Sequence, residues 1–129
     1  MVIKADHFPI PGETILGGNF FMFPGGKGAN QAVAAARLGG QVTFIAKTGN
    51  DIFGEQALGQ FRKEGIETNF ISTDVIQPSG VALITIDNKG ENTIVVAQGA
   101  NGTLTAEDVQ KAIQEFERAD LILMQLEIP

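Results

Sequence analysis

Pro24-Gly25-Gly26-Lys27-Gly28-Ala29-Asn30-Gln31, continued without a breaker by Ala32-Val33-Ala34-Ala35-Ala36, is the stretch on which the fold turns. Glycines at 25, 26 and 28 imply a backbone that needs unusual dihedrals or must admit something closely. The small-residue run after them stops only at Gly39-Gly40, so the segment reads as a Gly-rich loop feeding a helix. On that helix Lys27, Asn30 and Gln31 stand at i, i+3 and i+4, which gathers three polar groups on one face of the first turn. The Ala and Val positions beyond are small on nearly every side, which predicts a helix packed closely all round. A polar, glycine-framed start to a buried helix is a candidate ligand site, built from Gly25, Gly26, Lys27 and Asn30.

The rest of the composition narrows the function classes. The chain has 129 residues, 43% hydrophobic and 19% charged, which fits one globular domain with a core. Nine basic against fifteen acidic residues leave a net charge of −6, and Lys and Arg do not cluster. That argues against nucleic acid and anionic membranes as partners. There is no cysteine and only one histidine, His7, so thiolate and histidine-rich metal sites are excluded. With no signal peptide and no apolar run of the roughly twenty residues that span a bilayer, a cytoplasmic location is expected. Met1-Val2-Ile3 begins as though inside a strand, and the apolar run 121–126 lies almost at the other end. Both ends read as cut.

Working outward, Phe8-Pro9-Ile10-Pro11-Gly12-Glu13 is turn chemistry, with His7 beside it read as solvated. Residues 14–23 are rich in β-formers and read as a strand leading into the Gly loop. Past the first helix, 42–46 reads as a short strand of the kind buried in parallel sheets. Asp51 can cap a second helix carrying Phe53, Ala57 and Phe61 on one face, ended by Gly65. Residues 66–71, 81–86 and 93–97 are β-rich, and Asp87-Asn88-Lys89-Gly90 joins the last two as a hairpin. Together with 14–23 they predict a small antiparallel sheet inserted between α/β units. Thr105-Ala106-Glu107-Asp108 reads as a capping box opening a helix with Val109, Ala112, Ile113 and Phe116 on one face. Residues 121–126 read as a buried strand with Glu127 just past its carboxyl end. The fold class is thus α/β, part of a Rossmann-like domain with an antiparallel β appendage, and in such sheets ligands bind at the carboxyl ends of the strands.

The Gly loop fails the two common nucleotide templates. A Walker A loop needs Ser or Thr after Gly-Lys, where Gly28 stands, and the dinucleotide fingerprint needs a glycine where Gln31 stands. Phosphate binding stays open behind two stronger readings: a polyol site, where glycines let a hydroxylated ligand lie against the backbone while Lys27 and Asn30 hydrogen-bond it, and a tight strand-to-helix turn with solvated polar groups. Glu127 carries the same pair of readings, either a carboxylate accepting from two adjacent hydroxyls or an ordinary exposed strand end.

Several blocks carry a resemblance. Phe8-Pro9-Ile10-Pro11-Gly12-Glu13-Thr14, the run from Gly25 to Ala35, Thr48-Gly49-Asn50-Asp51, Gly90-Glu91-Asn92, Gly99-Ala100-Asn101 and Met124-Gln125-Leu126-Glu127 together resemble the ribokinase-type (pfkB) carbohydrate kinases, collinearly over essentially the whole chain. Within that family the Lys-Gly-Ala-Asn-Gln form is more similar to the ribokinase branch than to the fructokinase or adenosine kinase branches. The resemblance implies transfer of the ATP γ-phosphate to a sugar hydroxymethyl oxygen, O5 of ribose, with Mg²⁺ and a monovalent cation such as K⁺. It implies that the β appendage (about 14–23, 66–71, 81–86 and 93–97) is a lid over the sugar, and that paired lids make a homodimer. Gly25, Gly26, Lys27 and Asn30 fall on sugar-contacting positions, Glu127 on a carboxylate that binds sugar hydroxyls, and Val96 on a lid position packed over the sugar.

The departures lie at the ends. The family's Asn-x-Asp pair would precede Met1. The C-terminal half, with the Gly-Ala-Gly-Asp anion hole and base, the nucleotide pocket and the Mg²⁺-linked Asn-x-x-Glu motif, has no counterpart in residues 1–129. The chain alone is therefore expected to bind neither ATP nor metal and to be inactive, as the sugar-binding part of a truncated sugar kinase. Another carbohydrate kinase of the family, or a non-catalytic module that self-associates through its lid or an exposed sheet edge, are the alternatives.

Overall fold

A computed structural model describes all residues, Met1–Pro129. In chain order the elements are β1 (Val2–Lys4), β2 (Phe20–Phe21), α1 (Lys27–Arg37), β3 (Ala46–Gly49), α2 (Ile52–Lys63), β4 (Ile71–Asp74), β5 (Val81–Ile86), β6 (Asn92–Ala97), a 3-10 turn (Gly99–Thr103), α3 (Ala106–Gln110) and α4 (Ile113–Arg118). They sort into two bodies, one made of Met1–Pro24 with Val81–Ala97, the other of Gly25–Gly80 with Gln98–Pro129.

The first body is a four-stranded sheet in the order β2-β1-β5-β6. β5 and β6 pair antiparallel from Val81↔Ala97 to Ile86↔Asn92. The Asp87 carboxylate closes their turn by accepting from the Lys89 and Glu91 N–H groups at 2.9 Å each. Gly90 takes φ +84 there, a conformation open to glycine and closed to most side chains. β1 runs parallel to β5, with Val2 opposite Ile84.

The second body holds a β3-α2-β4 unit whose strands pair in parallel from Ala46↔Ile71 to Gly49↔Asp74. Its core is Ala32 of α1, Phe61 of α2, Ile66 and Ile71, flanked by Val33, Val42, Phe44, Ala57 and Leu58. Phe44 meets Phe61 edge-to-face, with centroids 5.3 Å apart, the arrangement the ring quadrupoles favour. Asp51 caps α2 through the Gly54 N–H at 2.9 Å, and Gly65 at φ +74 ends it. Arg37 at the end of α1 forks onto Glu64 at 2.8 and 2.5 Å, tying the two helix ends together.

The mixed α/β class is as expected, and several element assignments are corrected. Residues 14–23 form no long strand. Only Phe20–Phe21 pairs, because β1 is three residues long and offers no further ladder. Residues 66–71 do not belong to the antiparallel sheet. Ile66 and Ile71 are buried in the second body, and the strand that starts at Ile71 joins β3 in parallel. The strand expected at 42–46 is Ala46–Gly49. Upstream of it Val42 and Phe44 bond only to Glu67, and a turn at Thr68–Ile71 interrupts the ladder. The helix opened by Thr105 breaks at Lys111-Ala112. There the bonds Ala112 N–H to Val109 and Glu115 N–H to Ala112 tighten the chain and turn Ile113 to solvent, 51% exposed, while Ala112 is fully buried. α1 is packed on one side rather than all round: Ala32 is buried, with Ala29, Val33 and Ala36 partly buried against the same core, while Lys27, Asn30, Ala34 and Arg37 are exposed. Residues 121–126 are neither strand nor buried. No segment of the chain ladders with them, and Leu121, Met124 and Leu126 stand open to solvent.

Candidate functional site

The glycine-framed start of α1 is the N-terminal end of a helix without a side-chain cap. Gly26 holds the N-cap position at φ +104 and ψ +129, outside the region that residues with a Cβ adopt, and its carbonyl accepts from the Asn30 N–H at 2.8 Å. A glycine is required there for a conformational reason. Gly25 is different: its φ is ordinary, and a Cβ built on it meets nothing within 4 Å. That leaves the backbone just before α1 open to an approaching group.

Lys27 is the first residue of α1, and its ammonium group donates to the Glu127 carboxylate, a hundred residues later. Both side chains remain largely in solvent, 68% and 53% exposed. An exposed pair of this kind contributes less than about 1 kcal/mol, so its significance is positional. The first turn of α1 carries no acidic residue, and Glu127 brings the negative charge that the positive end of a helix favours. The segment before Glu127 is seated on the same turn. A Cβ on Gly28 would lie 3.6 Å from that of Gln125 and 3.9 Å from the Phe44 ring. Gln125 is not among the candidate site residues read from the sequence, although it lies in the Met124-Gln125-Leu126-Glu127 block.

The structure thus brings Gly26, Lys27 and Glu127 together, with Gly25 preceding them and the exposed Asn30 one turn on. Val96 stands on β6 of the four-stranded sheet, 63% exposed. An ammonium and a carboxylate meet at a glycine-framed backbone, with the Asn30 amide one turn further along α1, groups of the kind that donate to and accept from hydroxyls. His7, read as solvated, is exposed beside Glu13 at 3.3 Å. No three His, Asp or Glu side chains gather closely enough to hold a metal ion, and no helix is long and apolar enough to cross a membrane.

Away from this corner, three carboxylates are engaged in hydrogen bonds that favour their charged form. The Gly54 and Ser79 N–H groups and the Ser79 hydroxyl hold Asp51 below the usual carboxylate range. Asp74 is lowered to about 2 by the Gln77 N–H, the Thr103 hydroxyl and the Ile76 N–H. Asp108 is lowered by Lys111 first and by the Thr105 backbone next, with Lys47 adding to it. Asp51 was read as a helix cap, and it is one. Its second partner, Ser79, carries no signal in the sequence.

Comparison with known proteins places these groups in a family. The profile of the pfkB family carbohydrate kinases matches residues 1–126. The chain is similar to a ribokinase of Bacillus subtilis, with 43% identity over 129 residues, covering 100% of this chain and 44% of that protein. It superposes on the solved ribokinase of Giardia lamblia with a TM-score of 0.91 at 37% identity, covering 99% of this chain and 42% of that one. A solved Arabidopsis thaliana ribokinase, complexed with ribose and ATP, gives a TM-score of 0.83 at 27% identity over 99% of this chain and 42% of that one. The chain spans less than half the length of these relatives. With the family profile matched over nearly all of its residues, the chain belongs to the pfkB family of carbohydrate kinases.

Proposed function

We propose that these 129 residues are the sugar-holding part of a kinase that phosphorylates D-ribose at O5 with ATP. The observation that carries the reading is the meeting of Lys27 and Glu127 at the glycine-framed start of α1. The Glu127 carboxylate has lone pairs to accept from two adjacent ring hydroxyls, and Lys27 and the Asn30 amide donate to hydroxyl oxygens. The backbone at Gly25 and Gly26 lets the ring lie close. Phosphoryl transfer depends mainly on positioning and charge neutralisation, so a fixed polyol cradle is a working part of such an enzyme. Similarity to a ribokinase solved with ribose and ATP supports ribose as the sugar.

ATP, Mg²⁺ and a monovalent cation belong to the family's reaction, and the residues of this chain do not fit them. No cluster of three potential metal ligands exists, and the Gly loop lacks the Walker A Ser or Thr after its lysine. The 129-residue chain is proposed to bind ribose without turning it over, in the cytoplasm. The four-stranded sheet, with Val96 on its edge strand, is proposed as the lid, and its exposed β6 edge as a surface for self-association. Calorimetric titration with ribose tests the reading. Saturable binding that Asn30→Ala abolishes, with the thermal unfolding midpoint unchanged, is expected; a fold-competent chain that takes up no ribose contradicts it.

A further inference from the structure

Two of the three places where the chain crosses between the bodies, after Gly80 and after Ala97, are fastened to each other within the second body. The Ala100 N–H donates to the Pro78 carbonyl at 2.8 Å. The two backbones approach so closely that side chains are excluded. A Cβ on Gly99, which sits at φ +51, would lie 2.2 Å from the Pro78 oxygen, and one on Gly80 would lie 2.8 Å from the Gln98 oxygen. Ser79, between Pro78 and Gly80, is buried at 9% exposure, makes two hydrogen bonds to one carboxylate, and accepts a third from β3 through its hydroxyl. Its N–H donates to Asp51 Oδ2 at 2.7 Å, its hydroxyl donates to Asp51 Oδ1 at 2.7 Å, and the same hydroxyl accepts from the Gly49 N–H at 3.0 Å. A helix cap needs only the bond from Gly54. The two additional bonds to Ser79 do nothing for α2. Gly54 makes room for this knot, since a Cβ there would lie 2.3 Å from the Gly49 oxygen and 3.2 Å from the Ser79 hydroxyl.

We infer that residues 78–80 and 98–101 form a rigid clasp, locked by the Asp51 carboxylate through Ser79, which makes the exit to β5 and the return from β6 a single joint. Any turning of the β5-β6 hairpin then occurs beyond Gly80 and Ala97, and the segments on the near side stay fixed to β3 and α2. Asp51 acts in it as a positioning residue. The clasp stands independently of whether the chain binds ribose.

Amide hydrogen exchange on the full 129-residue chain tests it. In Ser79→Ala the amides of Gly49 and Ala100 are expected to exchange about tenfold faster, because the exit segment comes loose and carries its partner with it. The amides of Glu64 and Glu67, bonded to Gln60 and Val42 away from the clasp, keep their protection. Asp51→Asn is the second variant. It retains an acceptor for the Gly54 N–H but sets an amide N–H₂ against the Ser79 N–H, and the same pattern is expected. Unchanged exchange at Ala100 in either folded variant overturns the inference, and so does equal acceleration at Glu64 and Glu67, which would mean only a general loss of stability.

Discussion

At the scale of single residues, the two glycines before α1 are interchangeable in the sequence and opposite in the structure. Gly26 is held at φ +104 and ψ +129, so Gly26→Ala is expected to cost about 1–3 kcal/mol in urea unfolding. Gly25→Ala, at an ordinary φ with open space around it, should stay within about 0.5 kcal/mol of wild type. Equal effects of the two substitutions would contradict the assignment of the N-cap. The sequence called for glycine in this loop without saying which one the backbone needs, because φ is a property of the folded chain. The Lys27–Glu127 pair was legible only in part. Glu127 was singled out as the end of a strand that the structure does not contain, and its contact with Lys27 spans a hundred residues, which no local pattern encodes.

At the scale of elements, locally determined features were readable and pairing-determined ones were not. The Asp51 cap and the Thr105–Asp108 capping box follow from residues within one turn, and both are present. Strand positions at 14–23, 42–46 and 66–71 missed, since a strand exists only where a partner extends it, and β-rich composition serves either sheet equally. The elements of the second body are joined by Asp51, Asp74 and Asp108, which gives a pH prediction. Each has a folded pKa below its ordinary value of 3.8, Asp74 at about 2. The charged forms therefore stabilise the fold above about pH 4, and that stability is lost as pH falls from about 4 toward 2. Urea midpoints should be level near neutrality and drop below about pH 4, less steeply in Asp74→Asn. A midpoint flat down to about pH 3 would contradict the hydrogen-bond assignments.

At the scale of the whole molecule, the chain exposes much apolar surface. Ile94, Val95 and Val96 line the edge strand β6, and Leu121, Ile122, Leu123, Met124 and Leu126 are all more than half exposed. An apolar edge strand invites pairing with a second chain. Sedimentation at roughly tens of micromolar should show self-association, and a monomer alone at that concentration would contradict it. The apolar run 121–126 shows where whole-molecule reasoning from sequence stops. Its composition is that of a buried strand, but composition cannot supply the neighbours that would bury it. Gly26, Lys27, Asn30 and Glu127, the residues proposed to hold the sugar, lie within one body of the fold. The central claim is that this corner holds a sugar, and calorimetric titration of the chain with ribose, wild type against Glu127→Gln, tests it most directly. Saturable binding by the wild type, weakened about 10- to 100-fold when the charged acceptor is neutralised, is the predicted result. Binding of equal strength in Glu127→Gln, or none in a folded wild type, would contradict the account.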